Sequence, residues 1–136
     1  MKKILFLAMA FLVLSCNDPK PIALEKMTGY WEIEKVVFES GDEKTYKINE
    51  TIDYFQVADS VGYRKKVMPQ FDGTYLENGD LENLTVYGKD GRTFLEYKSK
   101  FGGHSEEVVD LTDEKLVLRM NNAEYHYKKP IPFSVK

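Results

Sequence analysis

The sequence predicts an all-β fold: an up-and-down antiparallel barrel of about 8–10 strands, preceded by a short N-terminal helical turn. Three observations predict it. Between residues 29 and 127, short runs rich in Val, Ile, Thr, Tyr and Phe alternate apolar with polar side chains, the period of two expected of a half-buried strand. Turn-forming clusters separate these runs every 8–12 residues or so, the spacing of a sandwich or barrel, and no convincing internal helix interrupts them. Successive hairpins with short turns favour an up-and-down order, and closing that order into a barrel removes exposed edges.

The chain has 136 residues, the size of one domain with one core. Its start is not part of that core. Met1-Lys2-Lys3 is positive, and Ile4 through Leu14 is an unbroken apolar run. A membrane-spanning helix needs about 20 apolar residues, so this run has the length of a signal peptide instead. It ends in Val13-Leu14-Ser15-Cys16, which resembles the lipobox of bacterial lipoproteins. That resemblance implies cleavage before Cys16 and acylation of its sulfur, palmitate being one such acyl group. The expected divisions are a signal peptide over 1–15, an acylated Cys16 with linker over 16–23, and a barrel domain over 24–136. Cys16 is the sole cysteine, so no disulfide forms within the chain and, once acylated, no thiol is left for catalysis. Each buried acyl methylene contributes about 0.8 kcal/mol, which makes a multiply acylated cysteine a lasting membrane anchor. The expected address is the bacterial cell envelope, anchored by lipid, with the outer membrane preferred.

Removing residues 1–15 leaves 121 of 136 residues and moves the formal charge from −3 to −5. Nucleic-acid surfaces need clustered Lys and Arg on a basic background, so no nucleic-acid partner is expected.

The elements follow in order. Asn17-Asp18-Pro19-Lys20-Pro21 has the composition of a tether. Ala23, Leu24 and Met27 stand at helical spacing and predict one turn of helix, placed to plug a barrel end. Thr28 to Phe38 is the first strand and carries the only tryptophan. Trp31 and Ile33 share a face, but Val36-Val37-Phe38 is continuous, so a bulge near Lys35 is expected. Ser40-Gly41-Asp42-Glu43-Lys44 reads as a turn into a long β-patterned run over Thr45–Val57, which fits two strands or one bent strand. Asp59-Ser60-Val61-Gly62 turns it again, and Tyr63–Met68 is a basic strand ended by Pro69. Phe71–Leu76 reads as another strand. Leu84 and Val86 alternate with Thr85 and Tyr87 before the hairpin signal Asp90-Gly91. Thr93–Lys100 continues, Gly102-Gly103 breaks the run, and Glu107–Leu111 resumes it. Leu116–Met120, a turn at Asn121-Asn122 and a strand marked by Tyr125 and Tyr127 complete the set.

Residues 24–129 resemble the lipocalin-like domains carried by bacterial lipoproteins. Lipocalins open with Gly-x-Trp on the first strand and carry a basic residue on a late strand that packs across the indole; Gly29-Tyr30-Trp31 and Arg119 match. The resemblance implies a barrel closed at the tryptophan end and a small apolar or amphipathic ligand in its cup.

For that ligand the residues themselves offer Tyr97, Tyr125 and Tyr127, which have inward parity, and Arg64, which can reach in from the basic strand. Buried tyrosines carry a polar tip that seeks a partner. The competing reading is that they fill and cap the barrel. A solvated strand face competes likewise for Arg64-Lys65-Lys66, which alternation splits between two faces. An alternative function is a protein-binding module, an envelope inhibitor or assembly partner working through loops such as Phe71-Asp72-Gly73 and Phe101-Gly102-Gly103. No catalysis and no cofactor are expected. His104 and His126 have no metal-ligand spacing, and His104-Ser105-Glu106 alternates across a strand.

Overall fold

The computed structural model describes residues 22–131. The signal peptide, Cys16 and the linker through Pro21 lie outside the described residues. A 3-10 turn at Leu24–Lys26 precedes ten strands: β1 Gly29–Phe38, β2 Glu43–Thr45, β3 Ile52–Ala58, β4 Val61–Pro69, β5 Tyr75–Glu77, β6 Glu82–Lys89, β7 Arg92–Ser99, β8 Gly102–Leu111, β9 Lys115–Met120 and β10 Ala123–Lys128.

Eight of these strands close a ring. Their order is β1-β3-β4-β6-β7-β8-β9-β10, every pairing is antiparallel, and β10 returns to β1 from Glu32↔Lys128 to Phe38↔Ala123. This closed up-and-down ring of antiparallel strands is the architecture that the sequence predicts. The other two strands are three-residue flaps, β2 on β1 and β5 on β4. They split the long runs that the sequence suggested: 46–51 is loop, and the expected strand Phe71–Leu76 shrinks to β5 because Gln70 and Gly73 close a turn. Asp72 locks that turn by accepting from the Thr74 amide and hydroxyl.

The local chemistry explains the register. The β1–β10 pairing shifts between Ile33 and Lys35, the bulge that turns Val36 inward after Trp31. Asp59-Ser60, Asp90-Gly91 and Asn121-Asn122 each hold two successive positive φ angles, the geometry of two-residue hairpins. Gly102-Gly103 does not break the sheet as expected but opens β8. Gly102 adopts φ +117, and a Cβ on Gly103 would meet the Tyr97 carbonyl oxygen at 2.7 Å, so only glycine lets β8 lie this close to β7.

One end of the ring is plugged. Met27 and Trp31 are fully buried, and the indole Nε1 donates to the Met27 carbonyl at 2.8 Å, fixing the 3-10 turn across the opening. Phe55, Leu84, Leu95, Leu116 and Leu118 fill the interior behind them. The barrel is therefore packed with side chains, and its polar groups gather toward the other, open end.

Candidate functional site

The open end is built on one buried cation. Alternation along β4 sends Arg64 and Lys66 inward and Lys65 outward, and register sets Arg64 opposite Phe55. Its guanidinium lies over the rings of Phe55 and Tyr97, 5.2 and 5.6 Å from their centroids. Nη2 donates to Asp53 at 3.0 Å and to the Tyr127 hydroxyl at 3.2 Å, while Nη1 donates to Glu106 at 3.4 Å. Lys66 Nζ stands 2.6 Å from the other Asp53 oxygen. The Tyr97 hydroxyl donates to Glu106 at 3.2 Å, and His104, stacked on Tyr97, reaches the same carboxylate at 3.3 Å. Arg64 Nε is a buried donor with no partner among the described residues.

The electrostatics follow from burial and pairing. Burial alone pushes the Asp53 carboxyl up, but Arg64 and Lys66 outweigh it and hold it below the ordinary carboxylate value. Burial pushes the Tyr97 phenol far up, with the Glu106 charge adding to it, and burial likewise raises Tyr127 against the pull of Arg64. Both tyrosines stay neutral, Tyr97 donating to Glu106 and Tyr127 accepting from Arg64. Two cations and two carboxylates cancel within the cluster.

Beside it, a cleft of about 470 Å³ opens between β4 and the connection from β5 to β6. Arg64, Lys66 and Glu82 line its inner side, and Leu81, Lys100 and Phe101 its rim. Leu81 and Phe101 are 44% and 86% exposed, so the rim offers apolar surface to whatever enters.

Of the residues the sequence singled out, Arg64, Tyr97 and Tyr127 meet in this cluster. Tyr125 packs against the core but joins no hydrogen bond in it. Asp53 is the residue that sequence reasoning missed; its signal is a carboxylate at an inward position of an otherwise apolar strand face, beside Phe55 and Val57. Sequence reasoning sets Glu106 aside with His104 and Ser105 because neighbours alternate across a strand, but His104 and Glu106, two residues apart, share the inward face and meet.

Arg119 requires a correction. It faces outward on β9, where it binds Glu107 at 2.9 Å and Glu124 at 3.7 Å, because Leu116 and Leu118 take the inward parity. Lys129 instead lies over the indole, its Nζ 3.9 Å from the Trp31 ring centroid. Gly29 makes room for it: φ is +136, and a Cβ there would come within 3.1 Å of that ammonium. The Gly-x-Trp stretch thus works as a seat for a lysine ten residues beyond the expected arginine. Burial of Lys129 lowers its pKa, against a smaller opposing pull from Asp113.

The fold and site define a class: a packed, eight-stranded antiparallel barrel with one end plugged over tryptophan and a charge-balanced polar cluster at the other. Among solved structures, the chain is similar to a lipocalin-like protein from Bacteroides uniformis ATCC 8492, at 12% identity and a TM-score of 0.48, over 76% of this chain and 98% of that one. It is also similar to an uncharacterized protein from Bacteroides eggerthii DSM 20697, at 17% identity and a TM-score of 0.48, over 76% and 99%. No family model and no curated protein matches the chain.

Proposed function

We propose that this protein is a lipid-anchored, non-catalytic envelope protein whose barrel holds a small amphipathic ligand at its open end. The observation that carries the reading is a cleft lined by Arg64 and rimmed by apolar surface, the buried Arg64 Nε having no partner among the described residues. A buried donor without an acceptor costs on the order of 1–3 kcal/mol, and a ligand atom or a water that accepts from it recovers much of that. Ligand sites combine such a polar group with apolar walls, and the cleft volume falls within their usual range. Because the cluster's charges cancel, the polar end that suits it is a neutral acceptor, such as a hydroxyl, ester or amide oxygen. The apolar end of the ligand lies against Leu81 and Phe101. The anchor is supported by the sequence alone, through the apolar run ending at Cys16.

Native mass spectrometry of the mature protein, extracted in detergent from its own host, tests the ligand. A copurified small mass that disappears in Leu81→Asp supports it, and repeated preparations with no extra mass overturn it. Labelled palmitate tests the anchor separately: incorporation that Cys16→Ser abolishes is expected, and an unmodified thiol on protein free in the medium refutes it.

A further inference from the structure

A second groove, of about 330 Å³, lies on the outer wall of the barrel, away from the open-end cleft. Loop 46–51 forms one wall and the β4–β5 hairpin the other, over the outer faces of β1 and β10. Both walls are held in place. Asn49 Nδ2 donates to Glu32 Oε1 and to the Ile33 carbonyl, each at 3.0 Å, stapling the loop to β1. Gln70 Nε2 donates to the Met68 and Pro69 carbonyls at 3.1 and 3.2 Å. Tyr75 is stacked on Tyr30, with centroids 4.1 Å apart and planes 8° from parallel. A groove whose sides are fixed in this way loses little conformational entropy when it is filled.

Its chemistry is unusual for this acidic chain. Ile52 has the outward parity of β3 yet is 3% exposed, giving the groove a buried apolar floor that Tyr75 extends. Lys47 and Lys128 border it, and neither has a carboxylate partner within 4.0 Å among the described residues. Glu32 is the one acid that lines it, and Asn49 engages that acid. Since the amide nitrogens of Asn49 and Gln70 both face carbonyl or carboxylate oxygens, their own oxygens are acceptors, and they have no donor among the described residues.

We propose that this groove docks a short, extended, acidic segment of a partner protein. Two unpaired ammonium groups call for carboxylates, the Ile52 and Tyr75 surface calls for an apolar side chain between them, and the two free amide oxygens call for backbone N–H donors. An acidic peptide with one central apolar residue supplies all three, whereas a lipid or a simple anion supplies no N–H row. The proposal stands independently of the open-end ligand, because it uses a different cavity and different residues.

The test titrates the capped peptide acetyl-Glu-Ile-Glu-amide into the mature chain carrying Cys16→Ser, with two-dimensional amide NMR as readout. Saturable shifts at the Asn49 and Gln70 side-chain amides are expected, weakening with salt as exposed ion pairs do. The Lys47→Ala/Lys128→Ala variant is expected to lose affinity about tenfold or more. Lys89→Ala, an equal loss of charge at the β6–β7 hairpin, is expected to bind unchanged. No shift, or an equal shift with acetyl-Lys-Ile-Lys-amide, overturns the proposal. Binding that appears only when the chain is cut after Ile131 also overturns it, because the occupant is then the chain's own terminus.

Discussion

Replacing Arg64 with methionine keeps the apolar stem of the side chain and removes the guanidinium, with its charge, its donors and its contact with the Phe55 and Tyr97 rings. The variant leaves Asp53, 3% exposed, with Lys66 as its sole ion-pair partner, and leaves Glu106, 6% exposed, with the Tyr97 hydroxyl and His104. Breaking a buried ion pair by deleting one partner costs about 3–5 kcal/mol. Lys66 and the Tyr97 hydroxyl remain in place, so the lower end, about 3 kcal/mol, applies. For a domain of this size that is a fall in Tm of about 12 °C at roughly 4 °C per kcal/mol.

The sign of the pH dependence separates this account from simple loss of packing. In the parent protein the Asp53 carboxyl is held low, so its contribution is present above the unfolded value near 3.9 and is lost only as pH falls below about 4. Without Arg64, burial dominates, since Lys66 is more than half exposed and shares its charge with water. The folded value then lies above the unfolded one. Stability is lost as pH rises through it and regained on acidification, so Arg64→Met is expected to melt at a higher temperature at pH 4.5 than at pH 7.5. Thermal unfolding followed by circular dichroism across that range measures both effects. A loss under 1 kcal/mol, or a variant whose Tm falls with acid in parallel with the parent, refutes the reasoning.

Other predictions concern the plugged end and the phenols. Lys129→Ala is expected to cost about 0.5–2 kcal/mol, the worth of a cation over an indole, by chemical denaturation. Gly29→Ala is expected to destabilise by about 1–3 kcal/mol through its positive φ, and by less when Lys129 is already alanine, which a double-mutant cycle checks. Trp31 emission is expected to titrate with Lys129 at a midpoint below the ordinary lysine value near 10.4; a midpoint at or above it contradicts the buried ammonium. Tyr97 and Tyr127 have folded pKa values raised by burial, so their stability contribution is complete below about pH 10 and is lost as pH rises beyond it. Ultraviolet difference titration is expected to show these two phenols ionising only as the protein unfolds.

What the sequence determined is what alternation and turn chemistry determine locally. Period two announced the strands, Asp90-Gly91 and Asn121-Asn122 announced two hairpins, and Val36-Val37-Phe38 announced the bulge near Lys35. Alternation alone also split Arg64 and Lys66 from Lys65, and gave Tyr97 and Tyr127 their inward faces. Closure decided the rest. Which inward groups meet depends on the register between strands far apart in the chain: Asp53 and Glu106 reach one guanidinium because β3, β4 and β8 curve around a shared interior. The same holds for the cation over Trp31. A late basic residue was legible, but only the end of β10 returning beside β1 places Lys129 there, while strand parity turns Arg119 outward to Glu107. Local pattern fixes the face a side chain takes, and tertiary closure alone fixes its partner.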